Sequence, residues 1–340
     1  MKFNYKGKYF TGIVILSLLF SSCNKFVQVA PPVNQVVSSV VFSSNQTATA
    51  AVVGLYSQMM RSSMYFMNGA MTLYPALSSD ELYNTSPNAN IDPFTDNAIP
   101  VTSSIIQNNI WRNAYSFIYQ ANACLEGISQ SGGIDKSGGN ELMGELKFSR
   151  ALCYFYLTNL FGNVPLELST DYKVNEKMPR TPESEVYGQI ISDLQDASKL
   201  LNGNYVSSDR ARPNKWAAVA LLARAYLYQK QWKEADSAAS AVIGSGEYQL
   251  ENNLNNVFLS GSSEAIWQLM PVAPYSNTAE GQYFIPSSSS VRPSYAITSF
   301  LLSAFEPGDL RKTNWLDSTV NNGKTYYYPY KYKVRSGSNA

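Results

Sequence analysis

Histidine is absent from all 340 residues. That removes Ser-His-Asp and Cys-His nucleophilic catalysis, and with them histidine metal sites. Gly132-Gly133 and Gly138-Gly139 lack the strand–loop–helix setting of a phosphate cradle. The remaining catalytic option is a carboxylate pair for glycoside hydrolysis. Asp80 and Glu81 are adjacent acids in a long polar segment, but a solvated or structural pair is the simpler reading. No catalytic residue, no metal ligand and no cofactor is therefore assigned.

A second chemistry is open to this sequence. The axial C–H groups of a pyranose pack on a flat aromatic face, while short amide arms bond the hydroxyls. Two polar, aromatic segments offer both. Arg61–Ser104 carries Tyr65, Tyr74, Tyr83, Asn84, Asn88 and Phe94; Pro271–Pro293 carries Tyr275, Asn277, Tyr283 and Phe284. Tyr83 and Tyr283 are the candidate stacking platforms and Asn84 and Asn277 the candidate hydroxyl partners, with Tyr275 beside them. The competing reading is that each ring plugs the scaffold. Trp111, Trp216 and Trp232 fall on helical faces and read as core; Trp267 fits either role. The net charge of +1 and a charged fraction of only 15% give no electrostatic footprint for nucleic acid. The 24 tyrosines suit a wet surface that binds neutral ligands.

These segments hang on helices. Ser43 or Ser44 caps a helix with Ala48, Ala51, Val52, Leu55 and Met59 on one face. Ile106, Ile110, Ala114, Phe117, Ala121 and Leu125 mark a second. After a Gly-rich turn, a third runs from about 140 to 160 and stops at Phe161-Gly162-Asn163-Val164-Pro165. Thr181-Pro182-Glu183 reads as a hydroxyl cap followed by proline at the first helical position. Helices over 214–229 and 232–243 complete the pattern, Ala223 and Ala235 being the small residues that let two helix backbones approach. Such a hairpin is tetratricopeptide-like and must stack on neighbouring pairs. Residues 264–270 and 326–334 read as strands. The expected fold class is mainly α: a tetratricopeptide-like repeat scaffold with long irregular loops and a few short strands.

The N-terminus reads as a secretory signal. Lys2, Lys6 and Lys8 precede a short apolar run, Ile13–Phe20, then Ser21, Ser22 and Cys23. The cysteine makes it similar to a lipoprotein signal, in which the thiol takes a diacylglyceryl group. Phe20 stands where leucine is usual. This gives residues 1–22 as signal peptide, 23–42 as a lipidated N-terminus and extended tether, and 43–340 as the helical domain. Cys124 and Cys153 read as small buried residues rather than a disulfide framework.

Several stretches resemble the SusD/RagB family in family order. They are Ser22-Cys23-Asn24-Lys25-Phe26, then Glu145–Ala151 running into Leu160–Leu166. Arg180–Tyr187, Arg212–Ala218 continuing to Tyr248, and a weaker echo at Phe305–Arg311 follow. The resemblance implies an outer-membrane lipoprotein facing the medium. Such a protein binds oligosaccharide and delivers it to a TonB-dependent, SusC-like barrel transporter; it has no enzymatic activity. A peptide-binding member, or a pure protein-interaction scaffold, is the alternative. Family members usually continue beyond the Tyr-Lys-Tyr segment near residue 331, so the resemblance implies either a truncated product lacking its C-terminal part or a short variant.

Overall fold

The computed structural model describes residues 38–272 and 277–337. The chain divides into two units, Met1–Val40 and Val41–Ala340, and the second holds the helical scaffold. Cys23, the signal segment and Tyr275 lie outside the described residues. So does most of the tether; within it, Ser38–Val41 is a turn of helix rather than extended chain.

The scaffold is a row of long helices: α1 (Asn45–Met60), α2 (Asn113–Ser129), α3 (Lys136–Phe161), α4 (Glu183–Leu200), α5 (Lys215–Tyr228) and α6 (Trp232–Gly244). From α2 onward each packs on the next in chain order, as stacked helix pairs must to bury their apolar faces. Side chains satisfy the open amides at their starts. Ser44 Oγ accepts from Thr47 N at 3.3 Å, Asp135 from Gly138 N at 2.8 Å, and Asn214 from Ala217 N at 3.0 Å. The α4 start departs from expectation. Thr181 makes no side-chain cap, because its backbone is held in a bridge with Val164. Asn163 Oδ1 takes over, accepting from Glu183 N at 3.0 Å across the α3–α4 connection. Capping from a remote loop leaves no local sequence signal.

Two buried ion pairs cross the row. Arg150 on α3 donates Nε and Nη2 to Asp193 on α4, each at 2.8 Å, and Nη1 to Asn122 on α2 at 2.7 Å. Glu145, fully buried, takes Arg212 in a bidentate pair and the Tyr56 hydroxyl at 2.9 Å. Burial pushes the Glu145 carboxyl above its ordinary value even though Arg212 pulls the other way. Burial also lifts the Cys124 thiol to about 11, as fits a small core residue.

The long polar segment 61–104 is more ordered than its composition indicates. It folds a helix, Ala70–Ser78, with Leu73, Tyr74 and Leu77 buried, despite Pro75 inside it. It then forms strand β1 (Leu82–Asn84). β1 pairs antiparallel with β2 (Tyr295–Ile297), in the register Leu82↔Ile297, Tyr83↔Ala296, Asn84↔Tyr295. A hairpin, β3 (Leu316–Asn321) with β4 (Lys324–Pro329), turns through Asn322-Gly323, both at positive φ, the conformation a two-residue hairpin loop demands. The expected strand over 264–270 does not form: that stretch pairs with no strand. Trp267 there is instead clamped, its Nε1 donating to Ala211 O at 3.0 Å and its ring packing on Tyr56 and Phe148. Trp232, expected in the core, is 59% exposed at the start of α6, because α6 is covered only on its Ala235–Val242 side. Ala235 is buried and Ala223 half-buried at the α5–α6 contact, and Tyr226 reaches α4 by accepting from Gln195 Nε2 at 2.9 Å.

Candidate functional site

The two polar aromatic segments meet. Besides the β1–β2 pairing, Ser63 donates to Gln282 at 3.2 Å, Thr72 to Glu280 at 2.7 Å, and Ala279 N to Asn68 Oδ1 at 3.1 Å. Gly69 marks a close approach. A Cβ there would stand 2.6 Å from Ala279 Cβ, at a φ of +93° that side chains rarely adopt.

The individual candidates fare differently. Tyr83 is half-buried on β1, opposite Ala296. Asn84 is committed to its own loop, donating to Asp92 at 3.0 Å and to Ser86 O. Asn277 is buried and donates to Val334 O at 3.1 Å. Tyr283 is half-buried on the short helix Ala279–Phe284, packed against the core near Tyr74 and Tyr295. No hydrogen bond or ring contact joins Tyr83 to Tyr283 among the described residues. Asp80 and Glu81 turn the chain into β1, and neither carboxylate makes a hydrogen bond among those residues.

Two cavities flank the Met64–Ala70 segment. The larger, about 980 Å³, lies where the two segments meet, walled by Phe66, Met67, Met71, Tyr156, Trp267 and Met270. Several of its polar groups are already engaged. Asn68 Nδ2 serves Met60 O, Gln268 Nε2 serves Asp209 O, and Lys333 Nζ serves two backbone carbonyls. Thr278 caps its own helix and Glu280 holds Thr72. Among the described residues the Ser260 and Tyr332 hydroxyls, also in the lining, keep their capacity, so this wall is partly committed to the protein itself.

The smaller cavity, about 460 Å³, is lined by polar residues throughout. Tyr65, Ser104, Asn108, Asn109, Arg112, Asn113 and Ser116 line it. A π-helical stretch, Ile105–Arg112, runs directly into α2 and supplies Asn108, Asn109 and Arg112 to the wall; widened turns of this kind are frequent at functional sites. Ile110 and Ala114 bury the other side of this helix, leaving Ser104, Asn108, Arg112 and Ser116, four residues apart, as an exposed polar stripe. The helix also builds the opposite wall. Asn109 Nδ2 donates to Met64 O at 2.9 Å and Asn113 Oδ1 accepts from Phe66 N at 3.3 Å. These bonds clamp a tight turn in which Met64 is held at φ +61° and Asn68 N bonds Tyr65 O at 2.9 Å. Strained backbone of this sort gathers at binding sites. Tyr65 is thereby presented half-exposed over the stripe. Among the described residues Asn109 Oδ1, Asn113 Nδ2 and the whole Asn108 amide make no hydrogen bond, while Asn109 Nδ2 and Asn113 Oδ1 are engaged. One ring face and several unspent amides are what a hydroxyl-rich ligand needs. Tyr65 was legible in the sequence as a loop aromatic. The asparagines were not singled out, although Ser104–Asn108–Arg112–Ser116 is the polar complement of the Ile106–Ile110–Ala114 face.

A stacked-helix scaffold carrying a solvent-facing cleft of ring and amides defines a helical binding protein. Among the described residues no helix is long and apolar enough to cross a membrane, and no cluster of metal-ligating side chains occurs. Residues 25–227 match the SusD-like family described as starch-binding and associating with the outer membrane, and the chain belongs to that family. It is 30% identical to SusD-like protein P25 of Formosa agariphila over 76% of this chain and 51% of that protein. It is 31% identical to the starch-binding protein SusD of Bacteroides thetaiotaomicron over 35% of this chain and 22% of that one. The matched part thus spans about half the length of the first of these relatives or less. The fold also matches a solved laminarin-binding SusD-like protein with a TM-score of 0.72 at 23% identity, covering 86% of this chain and 73% of the other. Proteins of this family bind carbohydrate and associate with the outer membrane.

Proposed function

We propose that this protein is a surface lipoprotein that captures an oligosaccharide in the Tyr65 cleft and passes it to a TonB-dependent outer-membrane transporter, without cleaving it. The observation that carries the reading is the unspent hydrogen-bonding capacity of Asn108, Asn109 and Asn113 beneath a half-exposed tyrosine ring. The starch-binding and laminarin-binding relatives support the ligand class. The basic start and short apolar run before Cys23 support the lipid anchor, which several acyl chains would make firm. Tyr83 and Tyr283, both half-buried, are proposed as secondary contacts for a longer chain.

An open cleft recovers only a few stacking and amide contacts against the lost freedom of the ligand. Affinity is therefore expected on the order of micromolar to millimolar. Calorimetry against a panel of soluble glycans tests this. Tyr65→Ala and Asn108→Ala should each weaken binding by about tenfold or more while leaving the melting temperature unchanged. Undiminished binding by both variants would move the site, and tight peptide binding with no glycan binding would move the ligand class. Cys23→Ala should leave the outer-membrane fraction; normal processing and retention would refute the anchor.

A further inference from the structure

We infer that the Tyr65 cleft selects glycans bearing an anionic group, a carboxylate or a sulfate, with Arg112 as the residue that reads the charge. The inference rests on the glycan reading and narrows it. Arg112 is the only ionisable cation or acid among the cleft residues apart from the tyrosine hydroxyl. It is exposed, sits at the last position of the π-helical stretch, and is flanked along its face by Asn108 and Ser116. Its guanidinium makes no hydrogen bond, ion pair or ring contact among the described residues. Several other arginines are engaged. Arg150 and Arg212 are bidentate to buried carboxylates, Arg311, which lines another cavity, is tied to Asp309, and Arg224 lies over aromatic rings. An unspent planar fork of donors, set among free amides and with no acid in the cleft wall, matches an oxyanion in geometry and charge. The amide oxygens of Asn108 and Asn109 are acceptors for which a bare anion has no donor and a sugar hydroxyl does, so the ligand is a charged sugar rather than a free ion.

The chain's near-zero net charge does not argue against this, because recognition at one fork is local. It does predict that screening by salt acts on this single contact. The test pairs each acidic oligosaccharide with its neutral counterpart. Oligogalacturonate and oligomannuronate are compared with their methyl esters, and a sulfated galactan oligosaccharide with its desulfated form. Calorimetry with the wild type should show at least one acidic member binding roughly tenfold or more tightly than its neutral counterpart, with the preference shrinking at high salt. Arg112→Gln should abolish the preference without lowering the melting temperature, since the side chain has no internal partner to lose. Arg112→Lys should retain part of it. The uronate and sulfate pairs separate the two sources of charge. Equal binding of charged and neutral members, or an Arg112→Gln loss shared equally by both, overturns the inference and leaves the glycan reading standing. Absence of binding to every oligosaccharide, charged or neutral, overturns both.

Discussion

Replacing Arg150 by methionine removes the cation from a carboxylate that has no access to water. The Asp193 side chain is 1% exposed and Arg150's is 8%. Without the guanidinium, Asp193 retains Gln189 Nε2 at 3.0 Å and Lys147 Nζ at 4.0 Å. Asn122 Oδ1 also loses its 2.7 Å donor. Breaking a buried pair from one side costs about 3–5 kcal/mol, because the desolvation of the remaining charge is no longer offset. Against a total stability of roughly 5–15 kcal/mol, that is a large fraction. The melting temperature should fall on the order of 10 °C. Removing both partners, as Arg150→Met with Asp193→Leu, takes away the uncompensated charge and fills the site with apolar volume. The double variant should therefore regain most of the loss. Urea unfolding of wild type, both single variants and the double variant measures the coupling directly. A single-variant loss under about 1 kcal/mol, or a double variant no more stable than Arg150→Met, would refute the claim that this pair joins α2, α3 and α4 through buried charge.

Gly69→Ala should cost about 1–3 kcal/mol, since the new methyl meets Ala279 Cβ at 2.6 Å on a left-handed backbone; a Gly69→Ala protein with wild-type stability would show that the two segments do not meet there. Asp135 accepts hydrogen bonds from Gly138 N and Asn45, which hold its carboxyl below the ordinary 3.8. A depressed carboxyl contributes stability that is present above 3.8 and lost as pH falls through the folded value. Asp135→Asn should therefore flatten the acid limb of a stability–pH curve, and an unchanged limb would assign that loss to other groups.

The helical scaffold was legible because its signals are local. Apolar residues at helical spacing, the Ser44 and Asn214 caps and the Gly162 stop each act within a turn or two of chain, and the structure places helix ends at them. Asn322-Gly323 is an equally local hairpin signal, but it was passed over: the only strand expected in that region was 326–334, where the structure has β4 over Lys324–Pro329. Composition alone missed the order in residues 61–104, where Leu73 and Leu77 become core only because other elements cover them. The same limit applies at the α4 start, capped by Asn163 from another loop, and at Trp232, left exposed for want of a neighbour. The cleft is the extreme case. Loop aromatics and amides could be named from the sequence, but which remain available is decided by long-range pairing. Asn277 and Asn84 are consumed by Val334, Asp92 and Ser86, while the Asn108 and Arg112 side chains make no hydrogen bond among the described residues. Residue type sets what a side chain can bond. Only the tertiary structure determines whether the protein itself has already used that capacity, because the partners come from distant parts of the chain.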